Sequence, residues 1–142
     1  MDSMIEKFER SGVTFQFPAN WSHEVEDDAA DWVATVQTPG SAMLVVTYRE
    51  DAEAAELGDE TLEALQAEYP ELDSEIAVEK LAGRTAIGYD LDFITLDTPV
   101  TAKVRALDAG AGTLLLFWQV GEKDREHYEP LLDAILASVR VG

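Results

Sequence analysis

The stretch RTAIGYDLDFITLDTPVTAKVRALDAGAGTLLLFWQV, residues 84–120, decides the fold because it holds three consecutive strand patterns. In the first two, apolar residues alternate with small, polar or charged ones, which is typical of a strand with one buried face. The apolar rows are Ile87, Tyr89, Leu91 and Phe93 in the first strand and Val100, Ala102, Val104 and Ala106 in the second. These patterns predict two antiparallel strands joined by the turn Leu96-Asp97-Thr98-Pro99.

The turn also predicts how the two strands pair. If Leu96 opposes Pro99, both acids of the first strand face a base of the second, and the apolar rows meet on the other side. The predicted pairs are Asp92 with Lys103, Asp90 with Arg105, Leu91 with Val104 and Phe93 with Ala102. Each cross-strand ion pair contributes about 0.2–1 kcal/mol. A slip of one residue would place acids against the apolar row, so the pattern and the turn agree.

The third strand, Leu114–Trp118, is apolar on both faces. A strand of this kind has to be covered on both sides, so we expect it inside the sheet. Gly110-Ala111-Gly112 precedes it and supplies the backbone freedom of a tight hairpin.

The first ten residues allow two interpretations. Ser3 and Glu6 fit the capping box of a short helix, whose stripe would be Met4, Ile5 and Phe8. The alternative, which we favour, is an edge strand that ends at Phe8 before a turn at Ser11-Gly12.

Four more strand patterns precede the first helix. They are Val13–Phe17, a weak strand His23–Glu26, then Trp32–Val36 and Met43–Tyr48. Between the second and third, we expect residues 27–31 (DDAAD) to form a loop. Met43–Tyr48 is apolar on both faces, so we expect it in the interior of the sheet.

Two helices are predicted. Asp59 can cap a helix that runs through Ala67, and Pro70 blocks its continuation. The second follows the i, i+3, i+4, i+7 pattern, and Pro130 suits a first turn, so the regular helix is expected to start near Glu129, even if Asp124 caps an earlier turn. Its apolar residues are Tyr128, Leu131, Leu132, Ile135, Leu136 and Val139. Between the helices, Leu72–Leu81 predicts a strand with Leu72, Ile76 and Val78 on one face.

This order of elements predicts an α+β protein. We expect an α/β/α sandwich with a central antiparallel sheet of about six to seven strands and two main helices. The length of 142 residues suits a single domain, residues 1–142, with one core.

Charge and composition narrow the function. The 29 acidic residues against 10 basic ones give a net charge of −19. This charge excludes the binding of nucleic acid or of an anionic membrane through a general basic patch. Without cysteine the chain has neither a disulfide nor a thiolate metal site. No apolar signal segment is visible near Met1, so we expect a cytoplasmic protein unless a leader has been removed. No apolar run is long enough for membrane insertion.

The acidity itself has two interpretations: it serves solubility, or it reflects adaptation to high salt. Thermal unfolding with and without molar KCl separates them. A melting temperature that depends strongly on KCl supports salt adaptation, and one that hardly changes supports solubility.

Three segments resemble the PsbP-like superfamily. They are GVTFQFPANW at residues 12–21, LAGRTA at 81–86 and YEPLLDAILASV at 128–139. The superfamily includes the photosystem oxygen-evolution subunit, a Ran-binding nuclear factor, DcrB-like proteins and chaperones of type VI secretion effectors. The resemblance implies a central antiparallel sheet between helices and a protein that binds other proteins. It carries over no functional residue, because only framework motifs match. The absence of a visible leader argues against the lumenal and periplasmic branches.

Candidate metal ligands are few and poorly spaced. A metal site would require His23 and His127 to converge with carboxylates, and nothing in the spacing predicts this. Asp27, Asp28 and Asp31 have oxygen ligands for a hard cation, but not the spacing or the glycine of an EF-hand. Whether the chain binds a metal is left unknown.

Candidate catalytic groups are equally sparse. Asp90 and Asp92 lie on one strand face, but Lys103 and Arg105 would keep them ionised as structural ion pairs. Ser22 and His23 point to opposite faces of a strand and so form no triad. The glycines of residues 110–112 precede a strand rather than a helix, unlike a phosphate-binding loop. The three tryptophans, Trp21, Trp32 and Trp118, are expected in the core or covering the sheet.

The favoured hypothesis is a non-enzymatic adaptor or chaperone-like module, monomeric or homodimeric, that needs no cofactor and has no catalytic residue. It would bind another protein through an exposed sheet face or edge. The alternative is a small-molecule or cation-binding domain with a pocket between sheet and helix. An enzyme would require His23 or His127 to meet a carboxylate in a cleft.

Overall fold

A computed structural model describes residues 4–142, which form nine strands and two helices. The helices are α1, Ala54–Glu68, and α2, Glu122–Ser138. The strands are β1 Ile5–Arg10, β2 Val13–Pro18, β3 Ser22–Asp28, β4 Asp31–Gln37, β5 Met43–Arg49, β6 Asp73–Leu81, β7 Arg84–Thr95, β8 Thr98–Asp108 and β9 Thr113–Gly121.

Seven strands form one antiparallel sheet in the order β3-β4-β5-β9-β8-β7-β6, and β1 and β2 form a separate hairpin. Strand β9 occupies the middle, with β5 on one side and β8 on the other. The sequence predicted interior positions for both Leu114–Trp118 and Met43–Tyr48, and the structure confirms them.

The two faces of the sheet are covered by different elements. Leu115 and Phe117 point towards α1 and share a core with its Leu57. On the opposite face, Leu116 and Trp118 share a second core with α2 and with the β1–β2 hairpin. The predicted α+β sandwich is confirmed, with the hairpin as an additional cover beside α2.

The predicted pairing of β7 with β8 is wrong by two residues. Thr95 pairs with Thr98, so the loop contains only Leu96 and Asp97. Both loop residues have positive φ, 50° and 60°, as a two-residue type I′ turn requires. A shift of two keeps every side chain on its face, which is why the apolar rows were still assigned correctly. The observed pairs are Asp92 with Thr101, Asp90 with Lys103, Leu91 with Ala102 and Phe93 with Val100.

The predicted loop at residues 27–31 is also wrong. Asp27 and Asp28 end β3, Asp31 begins β4, and only Ala29 and Ala30 lie between them. Because β3 is an edge strand, its acidic side chains reach water without leaving the sheet, and the run of acids does not interrupt the pairing. At the N-terminus the favoured strand is confirmed, although it ends at Arg10 rather than Phe8. Ser3 of the capping-box alternative lies outside the described residues.

Both helices begin earlier than predicted. Helix α1 starts at Ala54, and Asp59 lies within it rather than capping it. Helix α2 starts at Glu122, so Pro130 lies inside the helix and removes a single backbone hydrogen bond. The packing of α2 on the sheet holds it on both sides of this proline. Its predicted stripe is buried except at two positions: Tyr128 is half-buried and Leu131 lies at the margin, 36% exposed.

Helix α2 is anchored at its first turn by Asp124. The Asp124 carboxylate accepts hydrogen bonds from the backbone N–H (2.8 Å) and the hydroxyl (2.6 Å) of Ser41. The same hydroxyl accepts a hydrogen bond from the backbone N–H of Gly121. Hydrogen bonding by the Ser41 hydroxyl, followed by its backbone N–H, lowers the pKa of Asp124. The β4–β5 loop and the start of α2 are thus joined through an ionised carboxylate.

We expect Ser41→Ala to destabilise the protein in a pH-dependent way. A lowered pKa in the folded state contributes stability above the unfolded value of about 3.9, and this contribution is lost as the pH falls through the folded pKa. The destabilisation should therefore be larger near neutral pH than in strong acid. Urea unfolding of both proteins across this range measures it, with Ser74→Ala on β6 as the control. An equal difference at every pH would contradict the role of Asp124.

Candidate functional site

The two histidines contact different partners. His23 on β3 lies 3.2 Å from the Glu6 carboxylate (Nδ1 to Oε2) and packs edge-on against Phe17. His127 on α2 packs edge-on against Tyr128. Within residues 4–142, no three His, Asp or Glu side chains come together as a metal site.

Two of the three candidate acids at the β3–β4 turn form ion pairs, and the third, Asp28, is exposed at the end of β3. Asp27 pairs with Arg10. Asp31 lies 3.5 Å from the Arg49 guanidinium and accepts a hydrogen bond from the backbone N–H of Glu50. Asp27 and Asp31 thus join neighbouring segments at this corner of the sheet.

The structure separates Asp90 from Asp92. Asp90 accepts a hydrogen bond from Arg105, as predicted, at 2.8 Å. Asp92 instead accepts from the Thr101 hydroxyl, at 3.0 Å. Its predicted partner, Lys103, pairs with Asp133 of α2 at 3.0 Å, because the two-residue shift moves Lys103 away from Asp92.

The tryptophans lie in the core, as predicted. Trp21 packs edge-on against Tyr128, and Trp32 stacks on Tyr48 with its indole N–H donating to the Ser11 hydroxyl. Trp118 is fully buried beneath the ammonium group of Lys103.

A groove of about 640 Å³ lies where α1 ends against the β7–β8 hairpin. Tyr69 stacks on Phe93 there, with ring centroids 4.4 Å apart. The carboxylates of Glu68, Glu71, Asp73 and Asp92 line this groove. The residues that line this groove offer apolar and acidic contacts.

The most distinctive surface is the outer edge of β6. Ile76 is 83% exposed and Val78 is 64% exposed, although both lie in the middle of a regular nine-residue strand. Helix α1 packs on β7, β8 and β9 and leaves these two side chains uncovered. Among the strands of residues 4–142, β6 pairs only with β7, so its other edge presents backbone groups that a further strand can use.

The opposite edge of the same sheet differs. Strand β3, with the sequence SHEVEDD, exposes only polar and charged side chains. Its one apolar residue, Val25, is partly buried against the core beside α2. Charged residues normally protect an edge strand from pairing with another chain. One edge thus has this protection throughout, whereas the other exposes two β-branched apolar residues.

Arg105 fastens β6 and β7 to β8. Its side chain is 4% exposed and donates to Glu79 on β6 (2.5 Å) and Asp90 on β7 (2.8 Å). It also donates to the carbonyls of Tyr89 and Val104. Of these four hydrogen bonds, one reaches β6, the strand that carries the exposed pair, and two reach β7.

Tyr89 adds a link between α1 and the same region. Its hydroxyl donates to Asp59 at 2.7 Å. This hydrogen bond, more than burial, raises the pKa of Tyr89. This hydrogen bond joins α1 to β7.

The sequence pattern placed Ile76 and Val78 on one face of a strand but did not show them to be exposed. Exposure follows from which strands α1 covers, and this is a tertiary property. The sequence of the strand did carry one indication of an edge position, because its acids lie at odd-numbered positions and Ile76 and Val78 at even-numbered ones over Asp73–Glu79.

Comparison with known proteins shows the fold. No protein-family model and no curated protein matches the chain. Among solved structures, the cyanobacterial PsbP (CyanoP) of Synechocystis is similar at a TM-score of 0.71 and 12% identity, covering 100% of this chain and 95% of that one. PA94 of Pseudomonas aeruginosa, a protein of unknown function, is similar at a TM-score of 0.56 and 14% identity, covering 96% of each chain. LpqN of Mycobacterium tuberculosis, involved in cell envelope biogenesis, is similar at a TM-score of 0.54 and 12% identity, covering 98% of this chain and 92% of that one.

The chain therefore has the PsbP-like fold, as the three sequence segments predicted. At these identities the likeness extends to the fold and transfers no binding residue. Across residues 4–142, neither helix is both long and apolar enough to cross a membrane.

We expect Arg105→Met to destabilise the fold by about 2 kcal/mol, because it removes four hydrogen bonds and leaves two carboxylates without their cation. Glu79 and Asp90 remain partly exposed, at 38% and 48%, so water limits the loss. Arg84→Met is the control, since its ion pair with Asp108 is longer (3.6 Å) and more exposed and should contribute at most about 1 kcal/mol. Urea unfolding measures both; equal losses would contradict the special role of Arg105.

Proposed function

We propose that this chain is a non-enzymatic protein-binding module, an adaptor or chaperone-like protein, that binds an extended segment of another protein along β6. The observation that carries the proposal is the exposed pair Ile76 and Val78 on a strand that lies at the edge of the sheet in the described part of the chain. A peptide that adds a strand to such an edge gains backbone hydrogen bonds and side-chain contacts together.

Two features of the structure support this use of the edge. Strand β6 is held by its pairing with β7 and by the hydrogen bond from Arg105 to Glu79, so little conformational freedom remains to be lost when a partner docks. The opposite edge, β3, is protected by exposed polar and acidic residues, which directs strand addition to one side of the sheet.

The fold is compatible with this role without specifying it. Its solved neighbours include a cyanobacterial PsbP and a protein involved in envelope biogenesis, and no shared site residue links this chain to either. The cytoplasm as the compartment remains a prediction from the sequence.

The test is partner capture that depends on the edge. Tagged wild-type protein and the variant Ile76→Lys/Val78→Lys are incubated at native salt with a lysate of the organism that encodes the chain, and bound proteins are identified by mass spectrometry. The matched control is Ile94→Lys/Leu96→Lys, because these residues are 66% and 94% exposed on the β7–β8 hairpin. Both double variants add the same two charges.

We expect at least one protein to be recovered by the wild type and the control but depleted about tenfold or more by the β6 variant, since a central apolar contact is worth more than about 1.4 kcal/mol. The proposal fails if every recovered protein binds the β6 variant as well as the wild type, or if none is recovered. Circular dichroism of all three proteins confirms that the variants are folded.

A further inference from the structure

The β6 edge offers a different chemistry on each face of the sheet. A strand that pairs with β6 directs alternate side chains to the two faces. One set would lie beside Ile76 and Val78, and the other beside the acids of β6. The structure therefore constrains the alternation of a bound segment, not only its extended shape.

On the face towards α1, the middle of β6 is apolar, and it is flanked by the exposed Ser74 and Lys80. Ile76 pairs with Tyr89 of β7 and Val78 pairs with Ile87, and these two β7 residues are half-buried. A β-branched residue of an added strand would extend this row of four side chains and cover the exposed pair.

The other face is acidic. Asp73, Glu75 and Glu79 lie on β6, next to Asp90 and Asp92 of β7. Arg105 is shared between Glu79 and Asp90, and Asp92 interacts electrostatically with Arg125 of α2, so five carboxylates face two guanidinium groups. The other cations on this face are engaged elsewhere, Arg84 with Asp108 and Lys103 with Asp133.

We infer that the segment bound at β6 is a strand in which β-branched apolar residues alternate with lysine or arginine. This inference rests on the proposed function and specifies its partner. The apolar residues cover Ile76 and Val78, while the basic ones lie against Asp73 and Glu75, which are both exposed. Opposite charges on neighbouring strands stabilise a pairing, and like charges directly opposite destabilise it.

A second copy of this chain fits the edge poorly. In the antiparallel pairing that would set Ile76 against Val78, Glu75 would lie opposite Glu79 on each side. Each protomer also carries a net charge of −19, which opposes association at low salt. The edge thus favours a cationic strand over self-association.

Three synthetic peptides of equal length test the inference. The first alternates valine and lysine, the second contains the same residues in two blocks, and the third alternates valine and glutamate. Fluorescence anisotropy with the full chain measures each dissociation constant. We expect the alternating cationic peptide to bind about tenfold or more tightly than its block isomer and the acidic peptide not to bind.

Two protein variants locate the contact. Asp73→Asn/Glu75→Gln should weaken the alternating cationic peptide and reduce its salt dependence, whereas Ile76→Lys/Val78→Lys should abolish binding. Glu24→Gln/Glu26→Gln is the matched control, because these residues have the same spacing and exposure on the β3 edge, and it should bind like the wild type.

The outcomes separate the inference from the proposed function. Equal affinity for the alternating and block peptides, or equal weakening by the β3 control, overturns the inference, because nonspecific attraction to an acidic protein would then explain binding. If no peptide binds while a captured protein still depends on Ile76 and Val78, the partner chemistry is wrong and the protein-binding function stands. If neither depends on those residues, both fail.

Discussion

The burial of β9 on both faces is the constraint on which the rest of the structure depends. Thr113–Trp118 is an unbroken run of buried residues, and successive side chains of a strand point to opposite faces. Each face then needs its own cover. Helix α1 supplies one, and α2 with the β1–β2 hairpin supplies the other. Covers on both faces of the sheet follow from this one strand, and they lie over the centre of the sheet rather than its edges.

The same arrangement explains why the β6 edge is exposed to solvent and is also held in place. A helix centred over β7, β8 and β9 leaves the outermost strand uncovered, so Ile76 and Val78 stay in solvent. Strand β6 is held on the opposite face of the sheet, where Arg105 donates hydrogen bonds to β6 and β7. Gly88 belongs to this arrangement, because it pairs with Arg105 and a Cβ there would overlap the carbonyl of Val104. The close approach of β7 and β8 is thus a condition for Arg105 to reach Asp90 and Glu79.

Local pattern and tertiary placement differ in how far the sequence could predict them. Alternation gave the faces of β7 and β8 correctly, because side-chain direction follows from strand geometry alone. The pairing was missed by two residues, because a positive φ such as that of Leu96 is unusual for leucine and a four-residue turn was expected. The start of α2 was missed because Pro130 suggested a first turn. The exposed edge was missed because nothing local to β6 shows which strands α1 covers.

The acids around β6 act in two ways that do not conflict. Charge on an edge strand prevents indiscriminate pairing with other chains, and for a protein with a net charge of −19 it repels most acidic neighbours as well. Negative charge at this edge also selects among partners, because it attracts a basic strand where it repels an acidic one. Protection alone would not require Ile76 and Val78 beside those acids, since β3 is protected without exposed apolar residues. The combination of apolar and acidic faces on one strand distinguishes an edge that binds selected partners from an edge that charge only protects against pairing.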